Sequence, residues 1–211
     1  MKWKKTAAAL LAAVMLAACG VNNSTGAPAS AEPSVKPIQI TNQVDLKIEQ
    51  DPADMTQYKW MTAKDTSFTL ISFQESIRMF EEGGSGILVY STASCPFCNR
   101  ALPVLDDVLA EYGIRAYLID TAEPIAETQA ESMAYFYTLC GYISSIFEPD
   151  ANGQTMFLIP EVIGVKDGNV VGHHLSLVDS YQIVDAESQM TEAQIEELKQ
   201  YYREVIEACA D

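Results

Sequence analysis

The chain has 211 residues, of which 48% are hydrophobic, an ordinary content for one globular domain with accessory segments. Its 29 acidic residues outnumber 13 basic ones, and the formal net charge is -16. This acidity argues against binding to nucleic acid and against electrostatic adhesion to anionic lipid.

The first residues have the pattern of an export signal. Residues 1–5 form a short basic head, and the apolar run over residues 6–16 is too short to span a bilayer as an ordinary helix. The run ends in Leu-Ala-Ala-Cys, which resembles the lipobox of bacterial lipoproteins. That resemblance implies that Cys19 receives a diacylglycerol and that the chain is cut before it. The alternative is a plain secretory signal in which Cys19 has no role.

The composition then divides the chain. Residues 21–37 are rich in Asn, Ser, Thr, Ala and Pro, which indicates a tether. We therefore expect a lipoprotein signal peptide over residues 1–18, a lipidated flexible tether over 19–43 and one folded domain over 44–211. This organisation predicts a protein held at the cell membrane by its lipid, facing outside the cytoplasm.

The folded domain begins with an N-terminal extension. Val44, Leu46 and Ile48 alternate with charged residues, which predicts a half-buried strand, and residues 58–63 suggest a second extended piece. A strand over 68–71 follows.

Two further elements come before the cysteine pair. Ser72 and Glu75 form a capping box that predicts a helix ending at Glu82, before two glycines. The unbroken apolar run over 87–90 is typical of a central strand buried on both faces.

A pair of cysteines, Cys95 and Cys98, stands between that strand and the next helical pattern. Thiols three residues apart at a helix start can close a small disulfide ring, and the free N–H groups and dipole of the helix start lower the pKa of the first thiol. The alternative is half of a zinc site, which needs two more Cys or His ligands at matching spacing. The remaining candidates do not have that spacing: His173, His174, Cys140 and Cys209. We expect no metal and no cofactor.

The next elements continue an α/β pattern. A helix with Pro103 inside it ends at Gly113, and an apolar strand over 114–120 follows, so we expect parallel pairing. Residues 127–147 predict a helix whose apolar face is too wide for one neighbour. That face either packs in the core or lines a groove for unfolded substrate.

The C-terminal part predicts a β-hairpin and a helix. An apolar strand over 156–165 contains Pro160, and a Lys-Asp-Gly-Asn turn over 166–169 returns it in the antiparallel direction. A second capping box over 191–194 then starts a helix with one apolar stripe.

This order of elements resembles the thioredoxin fold over residues 67–211. The resemblance is carried by the Cys-x-x-Cys, by Pro103 five residues after Cys98, by the Ile119-Asp120 strand ending and by Ile159-Pro160 ahead of the hairpin. It implies an α/β three-layer sandwich with a mixed central sheet, with a helical insertion before the strand that follows a cis Ile-Pro bond.

A narrower similarity is to thioredoxin-like bacteriocin transport accessory proteins and related extracytoplasmic lipoproteins. It rests on residues 68–105 and on the export signal. Three positions depart from thioredoxin: Val89 replaces a buried acid, Ala116 a nearby lysine, and Ser94 a tryptophan. The usual aid to thiol deprotonation is therefore absent, and the signatures that hold glutathione are not seen.

The resemblance implies roles for individual residues. Cys95 is expected to be the exposed nucleophile and Cys98 the buried resolving thiol, and the two form the redox-active disulfide. The residues expected to meet an extended substrate peptide are Pro96, Phe97, Ile159, Pro160 and Glu161.

Other polar residues have plainer expectations. Glu161 is expected to carry a solvated charge, and His173 and His174 to be surface residues. Cys140 and Cys209 are expected to be buried, unpaired thiols, because the helices that carry them lie on opposite faces of a thioredoxin-like sheet. The alternative is a structural disulfide between them, which the compartment permits.

These expectations favour a membrane-tethered thiol-disulfide oxidoreductase. Its partners would be the thiols or disulfides of exported proteins, and a membrane or extracytoplasmic redox partner. The alternative is a non-catalytic accessory or chaperone-like binding module of the same fold, acting in export or maturation. Reductase, oxidase and isomerase share these parts, so the sequence leaves the direction of exchange open.

Overall fold

The computed structural model describes residues 37–46, 53–62, 65–147, 149, 152–153 and 156–211. The predicted signal peptide, the lipid site at Cys19 and most of the predicted tether lie outside these residues. The described part contains a five-stranded mixed sheet and four α-helices, which confirms the α/β class. The strands are β1 (Phe68–Leu70), β2 (Gly86–Ser91), β3 (Ala116–Asp120), β4 (Glu161–Lys166) and β5 (Asn169–Leu175). The helices are α1 (Phe73–Glu81), α2 (Pro96–Tyr112), α3 (Gln129–Ile143) and α4 (Glu192–Cys209).

The strand order in the sheet is β1-β3-β2-β4-β5. Both β1 and β2 pair with β3 in parallel, and β4 runs antiparallel to β2 and to β5. The predicted parallel unit and the predicted hairpin are both confirmed, although the first strand of the hairpin begins at Glu161 and not at residue 156. Because β2 lies at the centre, the site that follows its carboxyl end rests on the most buried strand of the sheet.

Helices cover both faces of this sheet. Ile87 and Val89 of β2 pack in one apolar cluster with side chains of α2 and α4. Leu88 and Tyr90 point the other way, into a second cluster with α1 and α3. Successive strand residues face opposite sides, so a strand covered on both faces is apolar at every position.

Local sequence signals set the helix ends. Both capping boxes form, with the side chains of Ser72 and Thr191 accepting from the third helical residue of α1 and α4. Pro96 occupies the first turn of α2, and Gly113 ends α2 with φ 67° in the left-handed region. Helix α2 continues through Pro103.

The N-terminal extension differs from its prediction. Val44 and Leu46 are buried and Asp45 is exposed, yet residues 44–46 form no strand. The N–H of Val44 bonds to the Asn42 side chain instead of a neighbouring strand. The alternation of apolar and charged residues therefore reflects burial of the apolar ones, without the backbone pairing of a strand. Ile48 lies outside the described residues.

Two other parts of the N-terminal region contact the domain. Within the predicted tether, the N–H of Ile38 donates to the Tyr112 carbonyl at 3.3 Å, so residues 37–43 lie on the domain surface. Residues 56–60 form turns, where an extended piece was predicted.

Helix α3 also departs from its prediction. It is shorter than the predicted 127–147, and only Leu139 and Ile143 are buried. Tyr137 is 65% exposed, and other apolar residues of α3 are at least partly exposed. Core packing therefore holds for Leu139, Ile143 and the partly buried residues that pack against the second cluster, Phe136, Ile146 and Phe147, whereas Met133 and Tyr137 are exposed. No described helix combines the length and apolar character needed to cross a membrane.

Candidate functional site

The cysteine pair lies where β2 passes into α2. Cys95 is the N-cap residue of α2, with extended backbone angles (φ -80°, ψ 122°). Its N–H donates to the Thr92 carbonyl at 3.1 Å, and its own carbonyl accepts from the Asn99 N–H at 3.1 Å. A cysteine is uncommon at this position, where Ser, Thr, Asp or Asn normally accepts the free helix N–H groups. Here the sulfur takes that role.

Several donors converge on the Cys95 sulfur. The N–H of Cys98 points to it at 3.3 Å. The pKa of Cys95 is lowered to about 6, first by the hydrogen bond from the Cys98 thiol and then by the N–H groups of Cys98 and Phe97, against the opposing effect of burial. An exposed edge and a stabilised anion make Cys95 the stronger nucleophile of the pair.

Cys98 has the opposite environment. Its side chain is fully buried in the cluster between the sheet, α2 and α4. The interaction with Cys95 raises the pKa of Cys98 well above that of an ordinary thiol, and burial raises it further. Both cysteines are free thiols in this structure, so the disulfide between them stays a prediction about the oxidised state.

The loop before β4 closes the other side of the site. The Ile159-Pro160 peptide bond is cis, and the Cys95 sulfur lies 3.8 Å from the Ile159 carbonyl oxygen. Phe97 in the first turn of α2 and Leu158 in the loop before β4 are open to solvent, at 41% and 47% exposure. The Cys95 sulfur thus contacts the Ile159 carbonyl, and the two segments that flank it carry exposed apolar side chains.

Glu161 differs from its prediction. It is 3% exposed, not solvated, because it pairs between Tyr90 of β2 and Leu175 of β5 in the interior of the sheet. Its carboxyl oxygen hydrogen-bonds to Nδ1 of His173 at 3.0 Å. Burial raises the pKa of Glu161 to about 8.

We expect Glu161→Gln to become more stable relative to the native chain as pH rises. Between about pH 4.5 and 8 the unfolded chain has lost the Glu161 proton while the folded chain keeps it, so folding becomes less favourable with rising pH. Glutamine keeps a hydrogen-bonding group for His173 but does not ionise. Across this window the difference in unfolding free energy should grow by about 1.4 kcal/mol per unit of pKa difference. Urea unfolding at several pH values measures it, and a pH-independent difference would contradict the prediction.

The other histidines and cysteines singled out in the sequence have different environments. His173 is exposed, as expected, whereas the His174 ring is partly buried and stacks on Tyr201 with centroids 4.7 Å apart. Burial lowers the pKa of His174 to about 4. Cys140 is partly exposed where burial was expected, and Cys209 is buried. The two are unpaired, on helices that pack against opposite faces of the sheet.

Two polar residues that follow Cys98 were missed in the sequence. Asn99 is buried, and its side-chain amide donates to the carbonyls of Ala93 at 2.7 Å and Cys95 at 2.9 Å. Its oxygen accepts the backbone N–H of Lys59. Asn99 thus holds the loop before Cys95 and joins it to residues 53–62. A polar residue directly after Cys98, on an otherwise buried helix face, was the available signal.

Arg100 is the second missed residue. Its guanidinium is buried and lies over the Trp60 ring, 4.6 Å from the centroid. It donates to the Pro96 carbonyl at 2.8 Å and the Ser188 carbonyl at 2.8 Å. Arg100 therefore attaches the 181–190 segment to the first turn of α2.

The chemistry of the site is that of two thiols. Among the described residues, no three His, Cys, Asp or Glu side chains gather as a metal site requires. No family model matches this sequence, and no curated protein is detectably similar to it.

Proposed function

We propose that this protein is a membrane-tethered, extracytoplasmic thiol-disulfide oxidoreductase of the thioredoxin-like kind. Cys95 and Cys98 exchange their disulfide with the thiols or disulfides of exported proteins. The export signal and the lipobox-like motif before Cys19 support the location and the lipid anchor.

The observation that carries this proposal is the contrast between the two sulfurs. Cys95 is partly exposed and stabilised as an anion by donors at the start of α2, while Cys98 is buried three residues further on. Thiol-disulfide exchange requires an accessible thiolate and a second thiol protected from competing substrates. A purely structural cysteine pair has no need of that asymmetry.

The surrounding fold supports a thioredoxin-like assignment. The element order, the mixed sheet and the helices on both faces agree with that fold. The cis Ile159-Pro160 bond stands beside the reactive sulfur, as the resemblance implies. A longer helical segment before β4 and the described N-terminal residues 37–46 and 53–62 are additions to the common core.

The exchange takes place in two displacements. The Cys95 thiolate attacks a substrate disulfide, forms a Cys95–substrate S–S bond and expels the other substrate sulfur as a thiolate, which takes a proton from water. Cys98, after losing its proton to water, attacks Cys95 and expels the second substrate sulfur. The substrate gains two electrons and the cysteine pair is oxidised. The reverse sequence oxidises a substrate dithiol.

Substrate contacts come from the residues around Cys95. Phe97 and Leu158 offer exposed apolar surface, and the edge of Ile159 offers its carbonyl. Pro96 fixes the first turn of α2 beneath them. Such a surface suits an extended polypeptide, whose backbone and apolar side chains can lie across the sulfur.

Reduction of insulin by dithiothreitol, followed by turbidity, tests the proposal. The full chain should accelerate precipitation, and Cys95→Ser should return the rate to that without protein. Cys140→Ser is the matched control and should keep the native rate, since Cys140 lies on α3 away from the pair. Equal rates for the native chain and Cys95→Ser would refute the proposal.

A second candidate function has its own observation. The exposed aromatic side chains of α3 would suit a chaperone-like module that binds unfolded polypeptides, with the cysteines only structural. In that case Cys95→Ser would suppress aggregation of an unfolded test protein as well as the native chain does, and neither would accelerate insulin reduction.

A further inference from the structure

The sulfur of Cys95 accepts helix N–H groups only while its backbone keeps the N-cap position of α2. A hydrogen bond weakens steeply as its angle departs from a straight line, so a small rotation here weakens the bond from the Cys98 N–H, now 3.3 Å from the sulfur. Residues 92–95 lie between β2 and α2 and belong to neither element. Contacts from outside this loop therefore matter for the geometry of the sulfur.

Asn99 supplies such contacts. It is the fourth residue of α2, and it is 8% exposed. Its side-chain amide donates to the carbonyls of Ala93 at 2.7 Å and Cys95 at 2.9 Å. The Cys95 carbonyl also accepts the backbone N–H of Asn99 at 3.1 Å. Asn99 thus binds the Cys95 carbonyl twice and the loop once more, two residues earlier.

The N-terminal segment over residues 53–62 fixes the orientation of this amide. The backbone N–H of Lys59 donates to the side-chain oxygen of Asn99, so the amide nitrogen points to the two carbonyls. The segment is itself anchored in the core by Met55 and Tyr58, which are 3% and 5% exposed. One buried side chain therefore joins the segment, the helix and the loop.

We propose that Asn99 is a positioning residue for the nucleophile, which holds the Cys95 sulfur at the N-cap of α2 and thereby sets its reactivity. The inference rests on the proposed function and adds to it a residue that acts through Cys95. It also gives residues 53–62 a part in the chemistry of the cysteine pair.

The physical basis is preorganisation of the donors. Donors fixed in advance around an anion stabilise it more than mobile donors do, because nothing has to reorient when the charge forms. The Cys98 thiol, together with the N–H groups of Cys98 and Phe97, lowers the pKa of Cys95. All of these donors belong to α2, whereas the sulfur belongs to the residue before it. Because Asn99 fixes the loop to the same helix, sulfur and donors keep one relative position.

Charged and titratable neighbours stay the same when Asn99 is changed. Cys98 is the titratable group that hydrogen-bonds to the Cys95 sulfur. Tyr58 is near enough for a Cys95 anion to raise the Tyr58 pKa. The guanidinium of Arg100 is engaged by backbone carbonyls. Since Asn99 is itself uncharged, a shift of the Cys95 pKa in an Asn99→Ala chain reports a change in hydrogen bonding and not a change of charge.

Alkylation of the reduced full chain by iodoacetamide, measured against pH, tests the inference. All chains carry Cys19→Ser and Cys140→Ser, so Cys95 is the accessible thiol, and mass spectrometry of a digest verifies that it is the residue alkylated. The rate follows the fraction of thiolate, so the pH of half-maximal rate gives the Cys95 pKa. The variants are Asn99→Ala and Asn99→Ser. A serine hydroxyl can donate to the carbonyl four residues earlier in a helix, here that of Cys95.

Asn42→Ala is the matched control. Asn42 donates to the Tyr117 hydroxyl at 3.2 Å and accepts the N–H groups of Val44 at 3.0 Å and Ser85 at 3.3 Å. It therefore also joins the N-terminal region to the domain. Ser85 precedes β2 whereas Cys95 follows it, so this change removes a similar set of hydrogen bonds at the other end of the same strand. Urea unfolding of each chain compares the losses of stability.

We expect Asn99→Ala to raise the pH of half-maximal alkylation by about one unit, the equivalent of one typical hydrogen bond. The sign follows because the change removes support from the anion. At pH 5 the rate should fall roughly tenfold, and at pH 9 it should be nearly native. Asn99→Ser should lie between Asn99→Ala and the native chain, since one of the two side-chain bonds is restored. Asn42→Ala should keep the native profile.

Two results would overturn the inference. One is a native pH profile in the Asn99 variants that fold, and if Asn99→Ala does not fold, Asn99→Ser decides alone. The other is an equal rise in Asn42→Ala, since that indicates a general loosening of the domain. A native chain with half-maximal alkylation near pH ~8.5, the value of a free cysteine, would instead refute the proposed function.

Discussion

Cys98→Ala should raise the pKa of Cys95 from about 6 by at least about one unit, whereas Cys98→Ser should keep it low. The largest contribution to the lowered pKa is the hydrogen bond from the Cys98 thiol, and a serine hydroxyl can replace that donor. Alanine removes the donor and leaves only the backbone N–H groups of Phe97 and Cys98. Thiolate absorbance near 240 nm, recorded against pH, measures the change.

The comparison of the two variants separates two sources of activation. A similar pKa in both would mean that the helix start alone stabilises the anion. A Cys95 pKa near ~8.5 in Cys98→Ser, the value of a free cysteine, would contradict the assignment of Cys95 as the activated nucleophile. Both variants should trap a mixed disulfide with substrate, because neither has a thiol to resolve it, and Cys95→Ser should trap none. Mass spectrometry under non-reducing conditions distinguishes these products.

Arg100→Leu should lower the free energy of unfolding by about 3 kcal/mol, because several hydrogen bonds from its buried, charged guanidinium are lost. The guanidinium is the shared donor to acceptors on two separate segments. They are the carbonyls of Pro96, Asp185, Ala186 and Ser188, and the hydroxyls of Tyr181 and Ser188. Arg100→Lys should lose less, because an ammonium group keeps the charge but reaches fewer of these oxygens. Urea unfolding of the native chain, Arg100→Lys and Arg100→Leu measures this order of stability.

The effect of salt on the unfolding free energy distinguishes hydrogen bonds to uncharged groups from ion pairs. Within the described residues Arg100 has no carboxylate at ion-pair distance, so its partners are dipoles, and 0.5 M NaCl should leave the loss nearly unchanged. Arg78→Leu is the matched control, since Arg78 pairs with Glu82 on the surface of α1. The loss caused by that change should be much smaller than the loss at Arg100 and should shrink in salt. A loss of unfolding free energy in Arg100→Leu that depends on salt would contradict the assignment of uncharged partners to Arg100.

The hydrogen bonds between Arg100 and the 181–190 segment should link the stability of the fold to the geometry around Cys95. Detachment of the 181–190 segment would expose the first turn of α2, where Cys95 accepts its helix N–H groups. The N-terminal segment reaches the same turn from the other side through Asn99. The cysteine pair is therefore supported by two parts of the chain that are distant in sequence and that contact Asn99 and Arg100, the two residues after Cys98.

Local patterns in the sequence were sufficient to predict the secondary-structure elements and the cysteine pair between β2 and α2. Capping boxes, the apolar run of β2 and the Asp167-Gly168 turn each depend on neighbours a few residues away, and the structure contains all of them. The same is true of Cys95 at the helix start, since the N-cap position follows from the strand and the helix on either side of it.

Burial of individual side chains was harder to predict from sequence. Glu161 is polar and follows a proline, yet it is buried, because β5 pairs with β4 on its outer side. The apolar face of α3 shows the reverse, since a helix that meets the body on one side leaves the rest of its apolar residues in solvent. Exposure depends on which elements become neighbours, and no local pattern records that.

By itself, then, the sequence determined the α/β order, the cysteine pair between β2 and α2, and which of its thiols begins the helix. Only the tertiary structure decided what surrounds those thiols. Lys59 reaches Asn99, and Arg100 reaches the 181–190 segment, through contacts between residues more than thirty positions apart. Such contacts form when distant segments pack on one core, so the spacing of residues along the chain does not reveal them.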